Sequence, residues 1–358
     1  MRILWINHRC PKHPQAGGAE NHILEVGRRL VQKGHEITLL TECFPGSKKN
    51  EVIDGIMVKR KGGKYGIHLY APYFVKRYSA IYDIVIDDVA HAVPFFSYKF
   101  ARKPVVALVH HVHQKVVEKE LRMPLRQIVK WAERRLKNYE RIIAVSNTTR
   151  EMLINMLKVK PERIKVIYHG VDHEKFKPGD KFKVPTILWM GRIKKYKNLD
   201  HVIKAFSIVK HSIKDAKLIV VGSGDAKWLV NDMRIFDVTF MGHVSEEEKI
   251  RLLQGTWAIV YASDMEGWGM CVLEANACGT PTVAYNSGAL KETVINGETG
   301  FLTEYGNIEG LAEKMKVILS DHGVRERLSR NALIHSQNFN WEKTTSETEE
   351  FLIEIAEE

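Results

Sequence analysis

Long hydrophobic runs are missing from these 358 residues, and cysteine is scarce. No segment approaches the roughly 18–20 uninterrupted apolar residues of a membrane span. Only five residues separate Arg2 from His8, too few for the apolar region of a secretory signal, so the N-terminus reads as a first β-strand. The four cysteines, Cys10, Cys43, Cys271 and Cys278, show neither CxxC spacing nor a pairing pattern. They are expected to be buried free thiols in a reducing compartment, which points to the cytoplasm. A GxGxxG fingerprint is also lacking after the first strand, which counts against a dinucleotide cofactor. The pair Asp87-Asp88 is DD and not the metal-binding DxD, and it falls at a strand end, where it is either structural or lines a ligand site. No recognised nucleic-acid module is present, so a pI of 9.3 does not by itself make this a nucleic-acid-binding protein.

What is present is ordinary globular material, 44% hydrophobic and 27% charged, in a chain longer than one core usually serves. Charge divides unevenly: residues 1–180 hold 33 Lys and Arg against 18 Asp and Glu, and residues 181–358 hold 21 against 25. The basic half suggests an anionic partner, a nucleic acid, an anionic bilayer surface or a phosphorylated acceptor, with a soluble surface that is simply basic as the alternative. Apolar runs at Ile3–Asn7, Glu36–Thr41, Ile56–Arg60, Ile84–Asp87, Val105–Val109 and Ile142–Val145 predict strands, with helical spacing at Ala19–Gln32 and Leu121–Leu136. The alternation restarts with strands at Ile187–Met190, Lys217–Val221, Ala258–Tyr261 and Thr282–Ala284. Helices are expected at Asn198–His211, Glu246–Leu253, Gly269–Cys278, Glu309–Leu319 and Trp341–Ala356. Two α/β domains with parallel sheets follow, and the Pro/Gly/Lys-rich stretch Phe176–Pro185 reads as their linker.

The segment Asp264–Pro281 carries the most chemistry. It leaves a strand, and Gly267 and Gly269 allow close backbone approach to a ligand. The segment opens a helix at about Gly269, and the unpaired N–H groups of its first turn form a phosphate cradle. Glu266 precedes the helix and Glu274 lies about five residues inside it, roughly 7–8 Å along the axis. The two carboxylates are too far apart for one tight metal site. They can bracket an elongated ligand, with Glu266 near a sugar and Glu274 near a ribose diol. In Trp189–Asn198, Gly191 permits a sharp strand exit, and Arg192 and Lys197 can neutralise a departing diphosphate.

Glu266-x7-Glu274 with its Gly267-Trp268-Gly269 and Cys-Gly-Thr-Pro surroundings resembles the EX7E signature of glycosyltransferase family 4, and Gly191-Arg192…Lys197 resembles that family's basic loop. The resemblance implies the GT-B fold: two Rossmann-like domains facing a cleft, an acceptor-binding domain at 1–180 and a nucleotide-sugar-binding domain at 181–340, with the helix at 341–358 returning to the first. It implies a retaining, metal-independent hexosyltransferase with no cofactor. Such an enzyme takes a UDP- or GDP-sugar as donor and a glycan or lipid-linked acceptor. Arg192, Lys197, Glu266 and His110 take the catalytic places. Gly17, Gly18, Gly191, Val244, Gly267, Trp268, Gly269, Met270, Cys271 and Glu274 take the donor-binding places. Weaker matches are the turn Val166–Asp172, where His169 replaces the usual asparagine, the glycine turn Val221–Asp225 and the segment Gly242–Glu248. His111 and His113 are left as alternatives for acceptor contact. A nucleotide-sugar epimerase on the same architecture is the competing reading. The basic stretch Lys115–Arg141 is either a core-facing helix with a solvated side or a surface for anionic membranes.

Overall fold

The computed structural model describes residues 1–224 and 237–358. Its contacts divide the chain into two compact units, residues 1–170 with 341–358, and residues 171–340.

In the first unit the apolar runs become a sheet. Strand β1 (Arg2–Ile6) is followed by helix α1 (Gly18–Gln32), β2 (Glu36–Thr41), β3 (Asn50–Ile53), β4 (Ile56–Arg60) and α2 (Ile67–Tyr78). The chain continues through β5 (Ile84–Val89), β6 (Val105–Val109), α3 (Val116–Glu120), α4 (Leu125–Glu133), β7 (Arg141–Ala144), α5 (Asn147–Leu157) and β8 (Ile164–Val166). Strand order is β3-β4-β2-β1-β5-β6-β7-β8, parallel throughout except where β3 pairs antiparallel with β4 at the edge. Leu4 lies in register with Val85, and Ile6 with Asp87 and Ala107. The α2 side chains Ile67, Ala71, Phe74 and Val75 close over Leu4 and Ile6. The direction of the chain reverses between β1 and β5, the position in a doubly wound sheet where ligands bind.

The second unit repeats the plan. Strand β9 (Thr186–Met190), α6 (Leu199–Ser212), β10 (Lys217–Val221) and β11 (Val238–Gly242) precede α7 (Glu246–Gly255), β12 (Ala258–Tyr261) and α8 (Met270–Ala277). Then come β13 (Thr282–Tyr285), α9 (Leu290–Thr293), β14 (Gly300–Thr303), α10 (Ile308–Ser320) and α11 (His322–Ser336). Among the described residues the order is β11-β10-β9-β12-β13-β14, all parallel, with its reversal between β9 and β12. Its core gathers Ile187, Trp189, Phe206, Leu218, Val260 and Met315.

The closing helix α12 (Trp341–Glu357) belongs to the first unit. Glu342 accepts from Arg29, at 2.8 and 3.0 Å, and Glu349 pairs with Lys33 and His35 on or beside α1. An acidic helix thus covers part of the basic unit.

Three sequence expectations change. The boundary falls at 170/171, and 176–182 is no free linker. The Lys181 ammonium donates to Thr256 O at 3.0 Å and Thr280 Oγ1 at 2.6 Å, and Phe182 N–H donates to Gly255 O. The single helix expected over Leu121–Leu136 is interrupted, and Met123, Leu125, Ile128 and Trp131 point outward, 60%, 48%, 57% and 53% exposed. Of the two readings given for this stretch, core-facing helix or outward surface, the core-facing one holds only for Ala132, Glu133 and Leu136, which are buried. Of the four cysteines only Cys10 and Cys278 are buried, while Cys43 and Cys271 are half-buried.

Candidate active site

In the second unit the loops that leave β9 and β12 flank the reversal point. Tyr261 holds the first in place by donating its hydroxyl to Met190 O at 2.7 Å. Behind it the chain turns at Gly222, whose φ is +136 and where any Cβ would strike Gly191 O at 1.8 Å, so glycine is required there. Gly191 is thereby fixed at the strand end. Arg192 stands exposed, with no carboxylate partner among the described residues.

A one-turn helical segment then returns Lys197 to the sheet edge, and its ammonium is bonded to the Glu266 carboxylate. Burial pulls the Lys197 pKa down, but the Glu266 charge outweighs it and the net direction is up. Glu266 Oε1 also accepts from Ser263 Oγ at 2.7 Å. Its backbone is gripped from the far side: Ala289 N–H donates to Glu266 O at 2.9 Å, and a Cβ on Gly288 would lie 2.5 Å from Glu266 N. Asn198 donates to Ala262 O at 2.8 Å and Asp264 N–H to Tyr196 O at 2.8 Å, tying the two loops together. Lys197 and Glu266, 69 positions apart in sequence, are thus brought together by these bonds.

Helix α8 begins at Met270, with Gly269 as its cap at φ +88. Trp268 is buried and packs edge-on against Phe339. Inside the helix Glu274 is 5% exposed. Its Oε1 accepts from Lys249 of α7 at 2.7 Å, and its Oε2 is buried without a hydrogen-bond partner among the described residues. A buried carboxylate oxygen left open in this way is suited to a hydroxyl donor that arrives with a ligand. Desolvation, then the Glu274 charge, pushes the neighbouring Cys271 thiol up to about 12, so it is not a thiolate nucleophile. Val244 lies half-buried between β11 and the Ser245 cap of α7. In the expected turn Val221–Asp225, the described part ends at Gly224, and Asp225 lies outside the described residues.

In the first unit Gly17 caps α1 and Gly18 opens it. Gly17 N–H is already taken by the carboxylate of Glu20, at 2.7 Å, a buried residue whose other oxygen faces Asn7 Nδ2. The expected anion cradle is therefore reduced by one donor. His110 follows β6 and sits among aromatic rings: His169 stacks on it at 5.3 Å, and His22 meets it edge-on at 5.8 Å. His22 Nδ1 and His169 Nδ1 are 2.7 Å apart, so one carries the proton and the other accepts it. Burial holds both pKa values well below the ordinary imidazole range, and the nearby imidazoles add to the effect. His113 is bonded to Glu133 of α4 through both its backbone N–H and its ring, which commits it to a structural role. Asp87 and Asp88 face opposite sides of β5. Asp87 accepts from the Ser97 backbone and hydroxyl and from Tyr139; Asp88 accepts from Trp5 and His110. Among the described residues no group of three or more His, Cys, Asp or Glu is arranged to hold a metal ion.

Two family models match this chain: Glycosyltransferase Family 4 over residues 16–175, and Glycosyl transferases group 1 over residues 171–334. The chain belongs to glycosyltransferase family 4. Among the relatives of this glycosyltransferase is D-inositol 3-phosphate glycosyltransferase from Acidothermus cellulolyticus, 25% identical over 92% of this chain and 84% of that protein. Sucrose-phosphate synthase from Thermosynechococcus elongatus has the same fold, with a TM-score of 0.83 at 20% identity over 99% of this chain and 98% of that one. HepE from Anabaena, solved with UDP-glucose, superposes with a TM-score of 0.77 at 19% identity over 99% of this chain and all of that chain. The fold is GT-B. No helix among the described residues is long and apolar enough to cross a membrane.

Pairings were what sequence reasoning missed. Lys249 for Glu274 and Asp88 for His110 come from separate elements that only the fold brings together, while Ser263, three residues before Glu266 in the same loop, carried no motif signal.

Proposed function

We propose that this glycosyltransferase moves a hexosyl group from a UDP- or GDP-sugar to a glycan or lipid-linked acceptor, with retention of configuration and without a metal. The observation that carries the donor half is the set of charged groups at the β9/β12 edge: Lys197 on Glu266, exposed Arg192, and Glu274 with a buried open oxygen. Arg192 and Lys197 would supply the positive charge that a departing diphosphate needs, the task a divalent ion performs elsewhere. As the diphosphate arrives, Lys197 would exchange part of its bond with Glu266 for the phosphate, freeing Glu266 to accept from sugar hydroxyls. Glu274 Oε2 would accept from the ribose diol, while Lys249 keeps its charge balanced. Retention follows from the family's EX7E pattern at Glu266 and Glu274. The HepE complex with UDP-glucose favours a uridine donor.

The acceptor half rests on the first unit. Its outward Met123, Leu125, Ile128 and Trp131 are flanked by Arg122, Arg126 and Arg134, and Arg135 lies 4.6 Å over the Trp131 ring. Apolar side chains bordered by cations match an anionic bilayer, with the rings entering the interface and the guanidinium groups meeting phosphates. We read the enzyme as cytoplasmic and peripheral at the inner membrane face, where lipid-linked acceptors are found.

Thermal denaturation with UDP, GDP, ADP and their sugars tests the donor first, since only a bound nucleotide raises Tm in proportion to its excess over Kd. The best donor is then followed by NMR with acceptor present. A product with the donor's anomeric configuration, formed in the presence of a chelator, supports the proposal. Inversion, or conversion of the donor to its epimer without acceptor, contradicts it.

A further inference from the structure

The carboxylate of Asp88 is 1% exposed and has two N–H donors, one on each oxygen. Trp5 Nε1 lies 3.0 Å from Oδ2, and His110 Nε2 lies 2.9 Å from Oδ1. An indole nitrogen only donates, and a carboxylate only accepts. His110 must therefore carry its proton on Nε2, and Nδ1 of a neutral ring is left as an acceptor. No protein group among the described residues bonds to that Nδ1. The stacked His169 ring and the His22 edge restrict rotation of the imidazole, so its orientation is fixed as well as its tautomer.

We propose that Asp88 is a positioning residue: it sets His110 in the Nε2–H form, so that Nδ1 accepts a hydrogen bond from a hydroxyl of the sugar substrate. This rests on the reading of His110 as a sugar-contacting residue, and it adds the donor–acceptor sense of that contact. Asp87, its sequence neighbour, is the internal contrast, since its bonds to Ser97 and Tyr139 lie on the other face of β5 and reach no imidazole.

The consequence of Asp88→Asn is specific. An amide has one accepting and one donating end. Turning its oxygen to His110 would set its NH2 against the Trp5 N–H, two donors face to face. Turning its oxygen to Trp5 sets NH2 against His110, and the imidazole relieves the conflict by moving its proton to Nδ1. The indole has no such escape, so the second arrangement wins. D88N should therefore hold His110 in the wrong tautomer, with a donor where the sugar needs an acceptor. Adding Trp5→Phe removes the indole donor, lets the amide oxygen turn back to His110 and restores the original tautomer.

The test is imidazole nitrogen NMR on the full chain, with the His110 signals assigned by their loss in His110→Ala. The wild type should show a protonated Nε2 and a bare Nδ1; D88N should reverse this; the W5F/D88N double variant should return to the wild-type pattern. Asp87→Asn, which disturbs a buried carboxylate of equal depth, should lower Tm and leave the His110 signals alone. In kinetics with the best donor, D88N should lose about tenfold or more in kcat/KM, the worth of one good hydrogen bond, and the double variant should recover part of it. A wild-type Nδ1–H tautomer, or D87N and D88N acting alike on the His110 signals, overturns the proposal. If the tautomers behave as stated but His110→Ala keeps full activity, the sugar-contact reading of His110 fails while the Asp88–His110 arrangement stands.

Discussion

The two units stabilise polar groups at their sheet edges in opposite ways. In the second, two carboxylates each face an ammonium: half-buried Glu266 has Lys197, and buried Glu274 has Lys249. In the first, a group of buried imidazoles, His110's neighbours beside the Asp88 carboxylate, is kept neutral by desolvation. His22 and His169 are held well below their ordinary pKa and His8 is lowered to about 3, with His68, Arg9, His13 and Lys64 adding to its burial. Under the function proposed above, the difference is one of chemical task. A site that must take up a diphosphate keeps movable cations balanced until the ligand comes. The imidazole proposed to read sugar hydroxyls needs a neutral ring with a fixed donor and acceptor sense, which an imidazolium would lose.

Removing one partner in the second unit should break the contrast most severely. Lys197→Ala leaves Glu266 beside Ser263 alone and removes a phosphate contact, so turnover should fall by about a hundredfold or more. Each charge-assisted contact is worth roughly 1.5–3 kcal/mol, and a half-buried carboxylate left without its cation adds a fall in Tm. Arg192→Ala should lose about tenfold or more in turnover at unchanged Tm, because that side chain is exposed and supports no partner. Steady-state rates with melting curves separate the two. Equal Tm losses for both variants would show that Lys197 and Arg192 do not differ as described.

The pH response should sharpen the contrast. In the unfolded chain the imidazoles bind protons near pH 6.5; in the folded first unit His8, His22 and His169 do so only much lower. Their stabilising contribution is complete above 6.5 and is lost as pH falls below it, at about 1.4 kcal/mol per pH unit for each group. Amide exchange at pH 7.5 and 5.5, corrected for intrinsic rates, should show protection lost across β1, β6 and α1. In β9 and β12 it should hold, because the raised Lys197 pKa keeps that ammonium charged throughout this range. Equal loss in both units would remove the distinction.

How much of this was legible in the sequence depended on whether the signal was local. Strands such as Ile3–Ile6 and Ile187–Met190 are buried on both faces, so their uninterrupted apolar runs identified them. Helix α2 was missed because Pro72 and four tyrosine and phenylalanine side chains blur its period, and the edge strands β3, β11 and β14 were missed because they are four or five residues long and partly exposed. The Phe176–Pro185 stretch looked like a linker because of its Pro/Gly/Lys composition, yet the Lys181 ammonium is bonded to Thr256 O and Thr280 Oγ1. The glycines and charged residues at the β9/β12 edge could be singled out from the sequence, since each motif lies within one loop. Asp88 was not: its neighbours Trp5 and His110 lie 83 and 22 residues away, and only the β1-β5-β6 order joins them.

The smallest of these effects concerns the outer face of α4. Ile128→Ser with Trp131→Ser should weaken binding to vesicles containing anionic lipid by about tenfold, in line with about 1.5 kcal/mol of apolar burial forgone. Activity on a water-soluble acceptor should be unchanged. Binding insensitive to both the substitutions and salt would remove the bilayer from the account.

The most direct measurement is a crystal structure with the nucleotide diphosphate that stabilises the protein best. It should place the diphosphate oxygens within hydrogen-bond reach of Arg192 and Lys197, the α8 N-terminus beside them, and a ribose hydroxyl on Glu274 Oε2. A nucleotide bound away from these groups, or a Glu274 Oε2 still without a partner, would contradict it.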